Sequence, residues 1–279
     1  MYQILTQKSL MVTNSEFLND REEILYSIDI IEEIYKTIDN GVIDIKTLKK
    51  LLVDSLKYKF ILSFSLNNDS IGLWGNYTNF EGYNIEVDLK NIVGSKENFK
   101  KYIIANSKSI TPKGNNAFYH EAFGKVIYDT VEQKEILKSL ILILNQSLDK
   151  SFNLTEEERK IIKEDVLSKI LYYINIFKHP GFKQEEEYRL VFTLNKDSYD
   201  RVIKFTNRNG VIIPYIEIKF INKDGKWEIP ITSITIGPKT NIELAQKGLE
   251  RLLELHQLYL DSKGEKEDIT IVKSQIPYR

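Results

Sequence analysis

A chain of 279 residues with 42% hydrophobic and 11% aromatic side chains carries enough apolar surface to bury a large core, so disorder is not its default. Its 39 basic and 40 acidic residues nearly cancel, so no global field draws it toward nucleic acid or anionic lipid, and any polyanion must meet a local patch. It has no cysteine, which excludes a disulfide scaffold, a thiol nucleophile and a thiolate metal site. The three histidines, His120, His179 and His256, are too scattered for a metal-ligand spacing.

The first twenty residues lack a basic segment followed by a continuous apolar stretch, so they do not read as a signal peptide. The longest apolar run, Leu140 to Leu144, falls far short of the ~20 residues that span a bilayer. The expectation is a cytoplasmic protein with no membrane partner.

From Asp20 the pattern is helical, with Asp20 and Glu23 spaced as a capping box, and Gly41 ends it. A second helix is expected from Asp44 to Tyr58, followed by a strand from Phe60 to Leu66 and a turn at Asn67, Asn68 and Asp69. Gly75 and Gly82 then punctuate an aromatic loop before a strand from Tyr83 to Leu89, and another strand lies within Phe118 to Tyr128. Val131 to Leu148 and Glu156 to Phe177 read as two long amphipathic helices, the second opened by Thr155 and Glu158 as a capping box. Beyond the turn Lys178 to Gly181 come strands at Tyr188 to Leu194, Arg201 to Thr206, Val211 to Phe220 and Ser233 to Ile236. A helix from Asn241 to Leu260 and a strand from Ile269 to Ser274 close the chain. Strands at both ends with helices between favour one α+β domain over residues 1–279, a mixed or antiparallel sheet with a helical hairpin inserted at about 131–177.

Six motifs carry a family likeness in order along the chain: TNSEFLNDREE at Thr13 to Glu23, SFSLNNDSIGLWGNY at Ser63 to Tyr77, FKHPGFKQEEEYRLVF at Phe177 to Phe192, IIPYIEI at Ile212 to Ile218, ITIGP at Ile234 to Pro238, and KSQIPYR at Lys273 to Arg279. Together they resemble the bacterial domain-of-unknown-function 2971 family, whose name records that its activity is unassigned. The family's usual opening is a strand followed by a helix, and this chain begins inside what should be that helix, at Tyr2 to Leu10.

Glu185, Glu187 and Arg189 fall at i, i+2 and i+4, so in a strand all three project from one face. Two carboxylates beside a guanidinium can hold a sugar hydroxyl and stabilise an oxocarbenium-like cation, and the arginine can clamp a phosphate. The plainer alternative is an ion pair of Glu187 with Arg189 on a solvated sheet face. Ser63 and Ser65 share one face of their strand, and Ser-Phe-Ser followed later by Glu-x-Glu resembles the order found in ADP-ribosyltransferases. That likeness implies NAD as substrate and an ADP-ribosyltransferase-like fold. Ser63 and Ser65 would support the site, Glu187 would be the catalytic carboxylate, Glu185 would activate the acceptor, and the Arg or His of that family's first strand would lie in the strand this chain lacks. Trp74 and Tyr77 offer aromatic surface for a nicotinamide or adenine ring, or else pack under their loop. Asp20 is explained as a helix cap. Gly237 and Pro238 fit a tight strand-to-helix connection better than a phosphate loop. Lys273, Tyr278 and Arg279 form a basic end that reads as a solvated tail.

The leading expectation is therefore an ADP-ribosyltransferase-like enzyme acting on a macromolecular target, in a toxin or phage-defence setting. Two alternatives stay open: a nucleotide- or nucleic-acid-binding sensor module without catalysis, and a nuclease with Glu185 and Glu187 as Mg²⁺ ligands.

Overall fold

A computed structural model describes residues 1–18, 22–38, 44–88, 102–104, 118–220, 229–255 and 269–277. Their contacts divide the chain into two compact units. One takes Met1–Met11, Ser65–Gly114 and Glu217–Arg279, and the other takes Val12–Phe64 and Asn115–Ile216. The fold class is α+β, with sheets that are mostly antiparallel.

The second unit places four helices on a sheet. The helices are α2 (Glu22–Thr37), α3 (Ile45–Leu56), α5 (Thr130–Leu148) and α6 (Glu156–Ile176). The strands, in spatial order, are β8 (Val211–Phe220), β1 (Leu10–Asn14), β2 (Lys59–Ser65), β6 (Glu187–Leu194) and β5 (Phe118–Lys125), with β7 (Lys204–Arg208) also pairing β8. The α5–α6 hairpin connects β5 to β6, which pair antiparallel with Gly124 opposite Arg189. Ile31, Leu48, Leu137, Ile141, Leu144 and Ile170 are fully enclosed between the helices, and Ile61 and Val191 meet them from the sheet. Each such side chain contributes roughly 1.5–3 kcal/mol by leaving water.

Local chemistry explains the helix ends. Asp44 accepts the Thr47 amide at 3.1 Å and starts α3. Asp129 accepts the amides of Val131 and Glu132 at 2.8 and 3.1 Å and starts α5. Thr155 and Glu158 exchange the two bonds of a capping box, Glu158 N–H to Thr155 Oγ1 at 3.2 Å and Thr155 N–H to Glu158 Oε2 at 2.8 Å.

In the first unit, β3 (Tyr83–Val87), β9 (Ile231–Ile236) and β10 (Thr270–Lys273) form a three-stranded sheet in the order β10-β9-β3, and β4 (Tyr102–Ile104) pairs Ile218 to Phe220 of β8, the part of that strand that belongs to this unit. Leu5 of α1 (Tyr2–Gln7) and Leu249 and Leu253 of α8 (Ile242–Leu255) close over Ile234 and Ile269. Gly237 lies so close to the backbone of Phe80 and Glu81 and to the Trp74 ring that an added Cβ would sit 3.1 to 3.2 Å from all three. The Ile-Gly-Pro turn is thus a packed strand-to-helix connection, as its sequence indicates.

Several expectations are corrected. Residues 71–78 are a helix, α4 (Ile71–Thr78), rather than an aromatic loop, because Ser70 Oγ accepts the Leu73 amide and starts a turn that buries Trp74. Arg201 and Val202 end a helix, α7 (Lys196–Val202), and the strand begins only at Lys204. Glu185 closes a 3₁₀ helix (Pro180–Glu185) and does not belong to β6. The strand β1 was not expected, and it pairs β2 with Thr13 opposite Ile61. Asn19, Asp20, Gly41, Leu89, His256 to Leu260, Tyr278 and Arg279 lie outside the described residues.

Candidate functional site

The residues singled out in the Glu-rich motif converge, by a route different from strand alternation. The chain leaves α6 at Phe177, and His179 caps the short 3₁₀ helix by accepting the Gly181 amide on Nδ1 at 3.1 Å. Glu186 then takes a left-handed conformation with φ of 46°, a strained choice for a residue with a Cβ. That reversal folds Glu185 back toward the end of α6 while Glu187 begins β6.

Lys178 stands at the centre of the result. Its Nζ donates to Glu185 Oε2 at 2.6 Å, lies 3.5 Å from Glu187 Oε2, and sits 4.8 Å from the centre of the Phe182 ring. Arg189 donates to the same Glu187 oxygen from Nε at 2.9 Å and from Nη2 at 2.5 Å, and its Nη1 donates to the Asn175 carbonyl at 3.0 Å. All four charged residues are buried, with Arg189 2% and Glu187 9% exposed. The expected Glu187–Arg189 ion pair therefore exists, but inside the protein and not on a solvated face. Two cations and two carboxylates cancel, which is what allows the group to leave water; deleting one member would strand a buried charge at a cost of about 3–5 kcal/mol.

Around this quartet the polar groups are largely hydrogen-bonded, although the buried Asn175 Oδ1 accepts no hydrogen bond among the described residues. The Val126 amide donates to the Glu187 carbonyl at 2.9 Å, and the Glu187 amide donates to the Tyr128 hydroxyl at 3.0 Å. The Lys178 amide donates to the Ile127 carbonyl at 3.2 Å, while Gln133 Nε2 donates to the carbonyls of Ile127 and Lys178 at 2.6 and 3.0 Å. The Tyr26 hydroxyl in turn donates to Gln133 Oε1 at 2.7 Å. Glu187 Oε1 is left over: no hydrogen bond to it is formed among the described residues. Among those residues no group of His, Cys, Asp and Glu is arranged to hold a metal ion.

The other candidates lie elsewhere. Ser63 is exposed on β2 in the same unit as Glu187. Ser65, Trp74 and Tyr77 belong to the first unit. There the Ser65 hydroxyl closes the turn with Asn67, accepting its amide at 3.0 Å and donating to its carbonyl at 3.1 Å. Trp74 is 4% exposed and donates its indole N–H to Asp69 Oδ1 at 2.7 Å, whereas Tyr77 is exposed. Asp69 also accepts the Ser274 hydroxyl at 2.7 Å and the Gln275 amide at 2.8 Å. Burial pushes this carboxyl up, but the bonds from Ser274, Trp74 and Gln275 outweigh it and hold the carboxyl below its ordinary range. Two of the recurring motifs, at Ser63 to Tyr77 and at Lys273 to Arg279, thus meet at Asp69.

Lys178, Tyr128 and Asn175 were not singled out from sequence as site residues. Lys178 is visible only as a charge between Phe177 and the His-Pro-Gly turn, and its partners seven and nine residues later follow no helical or strand period.

The molecule is thus an α+β protein with a buried, neutral Lys–Glu–Glu–Arg quartet at the start of a central strand. Residues 73–190 match the family model DUF2971, described as a protein of unknown function; that stretch takes in the end of the motif at Ser63 to Tyr77 and most of the motif at Phe177 to Phe192, and the other four motifs lie outside it. The matched stretch contains Tyr128, Asn175, Lys178, Glu185, Glu187 and Arg189. No curated protein and no solved structure matches the chain. No helix among the described residues is long and apolar enough to cross a membrane.

Proposed function

We propose that Glu187 is the reactive carboxylate of an ADP-ribosyltransferase-like enzyme that uses NAD as its substrate. The observation that carries this reading is the division of labour within one carboxylate: Oε2 is held by Arg189 and Lys178, while Oε1 accepts no hydrogen bond among the described residues. With its backbone fixed on both sides by Val126 and Tyr128, the free oxygen has a defined position from which to accept a ribose hydroxyl. Its negative charge would favour the oxocarbenium-like cation that forms as the C1′–N bond breaks and the electron pair leaves with nicotinamide. The acceptor's lone pair then forms the new bond to C1′ and its proton is released. Glu185 is engaged by Lys178, so in this reading it positions that lysine rather than activating the acceptor, and Arg189 likewise positions Glu187.

The test is nicotinamide release from NAD by the wild type and Glu187→Gln. The expected result is a fall of about 10²–10³-fold in the variant, the range for losing one preorganised electrostatic contact. Undiminished turnover in a folded Glu187→Gln sample would sink the proposal. A second reading, a nucleotide-binding module without catalysis, draws on the mutual neutralisation of the quartet, which leaves no charge to spare. It predicts that NAD raises the melting temperature while no nicotinamide is released.

A further inference from the structure

We infer that Tyr128 forms part of the ligand-contacting surface at Glu187 and donates its hydroxyl proton to an oxygen of the bound ribose. The inference rests on the reading of Glu187 given above and extends it to a residue with no assigned role. Three observations carry it. The Tyr128 oxygen accepts the Glu187 amide at 3.0 Å, so the hydroxyl lies beside the carboxylate-bearing residue. Its own proton goes to no acceptor among the described residues, although Tyr128 is partly enclosed. And Tyr128 is half-buried where Glu187, Lys178 and Arg189 are buried, so it is more open to solvent than the charged groups beside it. Its place is fixed from both directions: Ile127 bridges to Phe177 before it, and Asp129 caps α5 after it. Burial pushes the phenol up from its ordinary range, and at neutral pH it holds the proton it would donate.

A hydrogen bond of this kind contributes about 0.5–1.5 kcal/mol, which corresponds to roughly a two- to twelvefold change in affinity. The experiment is steady-state nicotinamide release by the wild type, Tyr128→Phe and Thr155→Ala, the last weakening the far end of α6 by loss of its cap. Expected is a several-fold rise in KM for NAD in Tyr128→Phe with kcat within about twofold, the pattern of lost uniform binding, and unchanged kinetics in Thr155→Ala. A wild type that releases no nicotinamide removes the Glu187 reading and this inference together. An active wild type with an unaltered KM in Tyr128→Phe overturns this inference alone, as does an equal KM rise in Thr155→Ala. A fluorinated tyrosine placed at position 128 keeps the ring and the fold while lowering the phenol pKa into the neutral range. KM for NAD must then rise with pH in that enzyme and not in the wild type, and a flat profile overturns the inference.

Discussion

Two lysines, Lys59 and Lys178, are buried to a similar degree, 4% and 3% exposed, and their surroundings give them opposite energetic signs. Lys178 has two carboxylates within 3.5 Å. Lys59 donates to the Thr193 hydroxyl at 3.2 Å, and no carboxylate bonds it among the described residues. Burial accordingly pushes the Lys59 pKa down from 10.5 to about 8. Below that value the folded protein carries the full cost of a charge held out of water. Between about 8 and 10.5 the unfolded chain binds more protons than the folded one, so this residue makes stability rise with pH, and above 10.5 its penalty is gone. Lys59→Met should therefore stabilise the protein at pH 7 by up to about 3 kcal/mol, an advantage that fades as the pH approaches 10.5. Lys178→Met should instead lose about 3–5 kcal/mol, because the buried Glu185 loses the lysine that its carboxylate accepts from. Urea midpoints across that pH range check both; a destabilised Lys59→Met at pH 7 would refute the account of that lysine.

Among the elements, the junction between the 3₁₀ helix and β6 decides whether the site exists, and it turns on Glu186. With φ of 46° this residue occupies the left-handed region, where a Cβ costs roughly 1–2 kcal/mol and glycine costs nothing. Glu186→Gly is expected to be neutral or to stabilise by up to about 1 kcal/mol. Glu186→Val is expected to be destabilising, because a β-branched residue resists this conformation, and it should also loosen the approach of Glu185 to Lys178. Thermal melts of the two variants order them; a valine variant as stable as the glycine variant would contradict the strain argument. The same junction shows what the sequence made legible. Periodicity placed α3, α5 and α6 and the strand Val211–Phe220 closely, with the Thr155 capping box marking the start of α6, since apolar repeats and caps act locally. The helix α4 was hidden because Gly75 and Gly82 make the aromatic stretch read as a loop, and the burial of Trp74 and the fit of Gly75 against the Phe80 ring override that propensity. The spacing of Glu185, Glu187 and Arg189 identified three residues that do meet. Strand alternation accounts for only two of them, and Lys178 was invisible because a turn, not a period, brings it in.

At the scale of the whole molecule, charge balance separates binding of a dinucleotide from binding of a nucleic acid. A formal charge of −1 gives no long-range attraction to a polyanion, and the buried quartet is itself neutral. Nucleic-acid affinity grows with each phosphate neutralised and falls steeply with salt, so a binder of this kind would need a row of unpaired basic groups. The quartet supplies none: Lys178 and Arg189 are both committed to carboxylates. The ribose of a dinucleotide makes a different demand, since a fixed acceptor such as Glu187 Oε1 can recognise this neutral group, while the pyrophosphate needs cations outside the quartet. Thermal unfolding at physiological salt with NAD, ADP-ribose or a mixed-sequence oligonucleotide is therefore expected to respond to the first two and not to the third. A ligand present at a hundredfold excess over its Kd adds about 2.7 kcal/mol to the folded state, which a melt resolves readily. Loss of the NAD response in Glu187→Ala, measured against that variant's own melting temperature, ties the response to this carboxylate. A shift with the oligonucleotide that fades as salt is raised, alongside none with NAD, would mean that the face of β6 is a structural clamp and that the binding surface of the molecule lies elsewhere.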